Sequence, residues 1–143
     1  MSIDDENNSN ISHYLGIDYG RSNIGLALAD EETKLSFAHD TYKNDKDLLQ
    51  KIAALAEEQN IQKIKIGIPS CINKETIEPE AKRLGSVLEK TLKIEVFYQN
   101  EMFTTKMAQA NLKEKGVKGI KKQDDKEAAK IILQEWLNNN QNA

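Results

Sequence analysis

Residues 14–20 read Tyr14-Leu15-Gly16-Ile17-Asp18-Tyr19-Gly20. Tyr14 to Ile17 form a short apolar strand, Asp18 closes it, and Gly20 falls in a tight turn. A second apolar run, Ile24-Gly25-Leu26-Ala27-Leu28-Ala29, follows at once. Asp18 is the residue out of place. A lone carboxylate among apolar strand residues costs several kcal/mol unless it is paired or bound to a metal. Aspartate also caps turns in its own right. The two readings part on whether other carboxylates converge on Asp18.

Outward from this stretch, the second strand covers Ile24 to Asp30, and a polar turn, Asp30-Glu31-Glu32-Thr33-Lys34, leads to a third strand over Leu35 to Tyr42. Three neighbours joined by short turns predict an antiparallel meander. The spacing of Leu48, Leu49, Ile52, Leu55 and Ala56 predicts a helix over Asp45 to Gln59, capped by Asn44 or Asp45. A strand over Lys63 to Ile68 follows and stops at Pro69, because proline cannot continue a central ladder. Ser70 to Glu78 reads as a polar loop, and Pro79 as the opening of a helix with Ala81, Leu84, Val87, Leu88 and Thr91 inward. A fifth strand covers Glu95 to Tyr98. Thr104 then caps a helix reaching Glu114, Lys115 to Gln123 is a basic loop, and the last helix runs from Asp125 to Leu137. Asp124 with Glu127 matches a capping box. The order predicts an α/β domain: a five-stranded mixed sheet, three strands as an antiparallel meander and two parallel, flanked by helices on both faces.

Composition narrows the class. The chain has 143 residues, 38% hydrophobic and 30% charged, as in an ordinary globular domain. Residues 13–138 form the expected domain, between a polar tail at 1–12 and a short one at 139–143. No apolar run reaches membrane length, so no membrane partner is expected. The polar start of the chain carries no export signal, and the single cysteine, Cys71, forms no internal disulfide; both favour the cytoplasm. His13 and His39 carry no metal signal. The net charge is −3, yet residues 106–130 hold eight lysines against four acids. That stretch could face phosphates, although charge alone favours a solvated helix and loop surface.

Three carboxylates converge on this topology. Glu101 follows the fifth strand. If the first, fourth and fifth strands are parallel neighbours, Asp18 and Glu101 share the carboxyl edge where open α/β sheets place their sites. Asp125 lies on the same helical stripe as Ala129, Ile132 and Trp136, so the last helix delivers it to the sheet. Three such groups repel one another. A hard divalent cation, Mg²⁺ or Mn²⁺, resolves the repulsion through oxygen ligands.

From Tyr14 to Leu137 the chain resembles the YqgF (RuvX) family of ribonuclease H-like nucleases. The resemblance rests on Gly16-Ile17-Asp18-Tyr19-Gly20 with Ile24-Gly25-Leu26-Ala27, and on Gly67-Ile68-Pro69. It continues through Glu101 with Thr104-Thr105 and Ala108, and Asp125 with Ala128-Ala129 and Ile132-Leu133-Gln134. It implies a ribonuclease H-like fold and a metal-dependent nuclease linked to maturation of the 5′ end of the 16S ribosomal RNA precursor. An older family label is Holliday junction resolvase. Asp18, Glu101 and Asp125 fall on the family's acidic catalytic and metal-binding positions.

Two departures stand out. The family places arginine directly before the Ile-Gly pair, where this chain has Asn23 and, two residues earlier, Arg21. Its Asp-Glu-Arg is here Asn100-Glu101-Met102, which loses a guanidinium able to hold phosphate. Arg21, Thr104, Thr105, Lys118, Lys121 and Lys122 are the expected nucleic-acid contacts. The expected partners are nucleic acid, with precursor ribosomal RNA ahead of structured DNA, and ribosomal particles. The rival readings are a resolvase of DNA junctions and a weakened nucleic-acid-binding assembly factor. A junction resolvase calls for a homodimer, whereas a single-strand nuclease works as a monomer.

Overall fold

The computed structural model describes residues 11–68, 74–100 and 121–139. In chain order the elements are β1 (His13–Asp18), β2 (Asn23–Asp30), β3 (Ser36–Lys43), α1 (Leu48–Glu58), β4 (Ile61–Ile68), α2 (Lys74–Leu92), β5 (Glu95–Asn100) and α3 (Lys121–Asn139). The sheet order is β3-β2-β1-β4-β5. The β1/β2 and β2/β3 pairs are antiparallel, and β1/β4 and β4/β5 are parallel. This is the mixed five-stranded sheet that the sequence predicts.

Strand alternation divides the core between two faces. Leu15, Ile17, Ile24, Leu26, Ile64 and Ile66 point to one face, where α1 and α2 cover them through Leu48, Ile52, Leu55, Ile77, Ala81 and Leu88. On the other face Ala27 and Ala29 meet Ala129, Leu133 and Leu137 of α3, with Tyr14 and Trp136 packed alongside. Ala27, Ala29, Gly16 and Gly25 under α3 are small, so the helix lies close to β1 and β2. A side chain at Gly16 would stand 2.8 Å from Leu133 Cβ and 3.0 Å from the Ala129 carbonyl oxygen.

Several boundaries differ from the sequence expectation. Helix α1 begins at Leu48, because both proposed caps are engaged elsewhere. The Asn44 amide donates to the Gly20 carbonyl at 2.8 Å, and Asp45 Oδ1 accepts from the Asp47 backbone N–H at 3.0 Å. Strands β4 and β5 are longer than expected, beginning at Ile61 and ending at Asn100. Helix α2 starts at Lys74 and carries Pro79 inside it, so residues 74–78 are helical. Ile77, only 7% exposed, anchors that early turn in the core, and its burial outweighs the backbone hydrogen bond that proline omits. Val87 and Thr91 turn outward, Val87 being 38% exposed, while buried Gly85 packs beneath the Tyr98 ring. Helix α3 starts at Lys121, so Asp124 lies inside it and is not its cap, and Lys121 and Lys122 belong to the helix instead of a loop. Lysine and glutamine are good helix formers, and no glycine or proline intervenes to delay the start. The expected helix from Thr104 and the Cys71 loop lie outside the described residues.

Candidate functional site: a carboxylate edge beneath the last helix

Register fixes a row of residues across the carboxyl end of β1. Thr41 pairs with Gly25, Gly25 with Asp18, Asp18 with Gly67, and Gly67 with Gln99. Paired residues share a face, and that face is the one α3 covers, since Gly16 and Tyr14, two and four residues before Asp18, touch Leu133 and Trp136. Asp18 is half-buried, and its two cross-strand neighbours are buried glycines. Nothing of the sheet overhangs its carboxylate from either side.

The first turns of α3 descend onto this row. A side chain on Gly25 would collide with the Asp125 carbonyl group and stand 2.8 Å from the Lys126 nitrogen. Only glycine admits this approach. The structure therefore seats Asp125 beside Asp18, as the stripe Asp125, Ala129, Ile132, Trp136 predicts, with Ala129 and Ile132 fully buried. At the far end of the helix, Trp136 lies edge-on to Tyr14 at 5.7 Å and tilted against Phe97 at 5.2 Å. Both contacts fix how far α3 slides along β1.

The turn after Asp18 is also tied down. Tyr19 is buried and its backbone N–H donates to the Gly67 carbonyl at 3.2 Å, continuing the ladder past Asp18. Asn44 grips the rest of the turn: its backbone N–H donates to Ser22 and its amide to Gly20. Arg21 is thereby held exposed at the same edge as Asp18.

One cation sits deeper on this face. Lys65 is 7% exposed; its ammonium donates to the Tyr98 carbonyl at 3.1 Å and stands 5.8 Å above the Trp136 ring. Burial pushes its pKa below the ordinary lysine value. Sequence reasoning placed Lys65 on the fourth strand, across from the face of Ile64, Ile66 and Ile68, but gave it no role, because the alternation does not show that a helix covers that second face.

Of the residues expected at the site, the structure brings Asp18 and Asp125 together and places Arg21 at their edge. Glu101, Thr104, Thr105 and Lys118 lie outside the described residues. Lys121 and Lys122 occupy the first turn of α3, the turn that precedes Asp125. Among the described residues no group of three His, Cys, Asp or Glu side chains stands within reach of one ion. The donors present, two carboxylates over a glycine floor, are hard oxygen ligands, and they fit Mg²⁺ or Mn²⁺ in kind. Gly25, Gly67, Gln99 and Thr41 were missed as site residues, and only knowledge of the register finds them.

The chain is similar to known proteins. A relative from Mycoplasma mobile named "Putative pre-16S rRNA nuclease" is 31% identical over 131 residues, covering 87% of this chain and 91% of its own. One of the same name from Lactococcus lactis subsp. cremoris is 34% identical over 131 residues, covering 86% and 92%. Among solved structures, T. thermophilus RuvC in complex with Holliday junction substrate superposes with a TM-score of 0.58 at 12% identity, covering 92% of this chain and 96% of that one. That likeness is one of fold, and it is the ribonuclease H-like architecture that the sequence resemblance implies. The model of the RuvX family, described as Holliday junction resolvase, matches residues 12–139, and the chain belongs to that family.

Proposed function

We propose that this protein is a nuclease that hydrolyses phosphodiester bonds with the help of Mg²⁺ or Mn²⁺, and that its substrate is the 5′ end of precursor 16S ribosomal RNA. The observation that carries the proposal is the seating of Asp125 on Gly25, beside Asp18, whose cross-strand neighbours Gly25 and Gly67 are both glycines. A purely structural pair of acids gains nothing from such a floor, whereas a phosphate backbone needs the clearance.

Asp18 and Asp125 would hold the cation, with Glu101 as a third carboxylate, bonded directly to the last residue of β5. When bound, the ion supplies Lewis-acid chemistry, activating water for attack and offsetting the charge that gathers on the phosphate. The chain's own residues do the positioning. The two acids orient through β1 and α3, which the core fixes. Arg21 meets a phosphate from the turn that Asn44 holds, and Thr104, Thr105, Lys118, Lys121 and Lys122 extend the basic track. The ribosomal RNA substrate rests on the names of the relatives. A four-way DNA junction is the second reading, resting on the family description and the RuvC fold.

A cleavage assay separates them, using single-stranded RNA, duplex and four-way junction, each with Mn²⁺ and with chelator. Cleavage of single-stranded RNA that needs metal, and falls on the order of a hundredfold or more in Asp18→Asn, Glu101→Gln and Asp125→Asn, is the expected result. Cleavage confined to the junction selects the resolvase. Binding without cleavage of any substrate would leave an assembly factor and end the nuclease reading.

A further inference from the structure

We propose that Thr41 is a positioning residue for the Asp125 carboxylate, its hydroxyl donating a hydrogen bond to that carboxylate when the site is loaded with a divalent cation. The inference rests on the nuclease reading above and adds to it a residue from the edge strand.

Three observations carry it. First, Thr41 Oγ1 is buried and, among the described residues, meets no hydrogen-bond partner. A buried hydroxyl without a partner is costly and calls for an explanation, commonly a functional one. Second, Thr41 is the cross-strand neighbour of Gly25, and Gly25 is where the Asp125 backbone rests. In the row Thr41–Gly25–Asp18, the turn bearing Asp125 is therefore flanked by a like charge on one side and a hydroxyl on the other. Third, a bulge aims Thr41 at this row. Leu26 pairs with Asp40 and Ala27 with Ala38, which leaves His39 as an extra residue in β3. Up to Ala38, the even-numbered residues of β3 face α3: Ser36 Oγ donates to the Lys130 carbonyl at 2.8 Å. Past the bulge the parity reverses, Thr41 faces α3, and Tyr42 packs into the opposite core. Without that extra residue Thr41 would point away from Asp125.

The chemistry is that of an outer hydrogen bond to a ligating carboxylate. A donor on the far side of Asp125 from Asp18 fixes which carboxylate oxygen turns inward. Threonine suits the position because it is β-branched, as a strand prefers, and among the described residues its single donor has no competing acceptor.

The test is calorimetric titration of the metal-free protein with Mn²⁺, with thermal melts of the metal-free forms. Thr41→Val keeps shape and removes the hydroxyl; Thr41→Ser keeps the hydroxyl. Thr41→Val should weaken Mn²⁺ binding about tenfold or more, while its metal-free melting temperature stays level or rises. Thr41→Ser should bind like wild type. Equal Mn²⁺ affinity in Thr41→Val and wild type overturns the proposal. So does a lowered metal-free melting temperature in Thr41→Val, which would reveal a structural partner for the hydroxyl. A wild-type protein that takes up no Mn²⁺ removes the metal-dependent nuclease reading itself, an outcome distinct from the other two.

Discussion

Gly25→Ala is the sharpest probe of the carboxylate edge. The new methyl group would fall inside the contact distance of the Asp125 carbonyl and lie 2.8 Å from the Lys126 nitrogen. These are backbone atoms, so no rotamer change relieves the clash. The first turns of α3 must recede by roughly 1.5 Å to restore ordinary contact. Overpacking of this kind costs about 1–3 kcal/mol, or roughly 3–10 °C in melting temperature for a domain of this size. The larger effect falls on chemistry, because a 1 Å misplacement of a catalytic group costs on the order of a hundredfold in rate. Gly16→Ala is the control. Its methyl meets Leu133 Cβ at 2.8 Å and the Ala129 carbonyl at 3.0 Å, in the middle of α3 and away from the acids. It should cost similar stability and far less activity. Melting temperature and metal-dependent cleavage are measured for both. Should Gly25→Ala cleave at the wild-type rate, or Gly16→Ala lose as much activity, the seating of Asp125 on Gly25 has no part in catalysis.

In Lys65→Met the pH dependence of stability should flatten. Burial lowers the folded pKa of Lys65, so the unfolded chain keeps this proton to higher pH and wild-type stability rises as pH climbs toward the ordinary lysine value of about 10.4; denaturant melts between neutral and alkaline pH that show the same rise in both proteins would contradict this. Pro79→Ala should raise stability by about 1 kcal/mol or more, because alanine restores a donor inside α2, and a loss in urea melts would mean that proline opens the helix after all. Asp18→Asn should leave metal-free stability unchanged or improved, since it relieves repulsion from Asp125, while wild type gains roughly 2.7 kcal/mol at a hundredfold excess of Mn²⁺ over its dissociation constant and the mutant gains much less. Thermal melts with metal and with chelator read both effects, and a destabilised, metal-indifferent pair would reduce Asp18 to a turn cap.

The sheet was legible because each rule acted locally. Short turns after Asp18 and Asp30 forced the meander, and helices between parallel strands forced β4 beside β1. Asp18 stood out because a carboxylate interrupts an apolar strand, and Asp125 because it shares a stripe with Ala129 and Trp136. Other features depend on partners far away in sequence. The start of α2 hangs on the burial of Ile77 against strands that Pro79 gives no hint of. The turning out of Val87 follows from how α2 packs beside α1. The bulge at His39 has no marker residue, so the strand appears to alternate evenly and Thr41 looks like any exposed threonine. Gly25 reads as a weak strand residue until a helix from the end of the chain is laid across it.

That helix has an energetic consequence. The main core, between the sheet and α1 with α2, is rich in leucine and isoleucine, whereas the sheet surface under α3 is largely glycine and alanine, with the Tyr14 and Phe97 rings against Trp136. Lifting α3 uncovers mainly small residues on the sheet besides the Tyr14 and Phe97 rings, so its docking depends mainly on those rings and on what its own Leu133, Trp136 and Leu137 bury. Detachment of α3 is therefore a sub-global opening, cheaper than unfolding the rest, and it carries Asp125 away from Asp18. Any ion that bridges the two acids binds only the docked form, and its binding energy becomes docking energy. Amide hydrogens in α3 should then exchange more slowly as Mn²⁺ is added, while those of β1 and β4 barely change. In this protein the metal would act as the latch of its last helix.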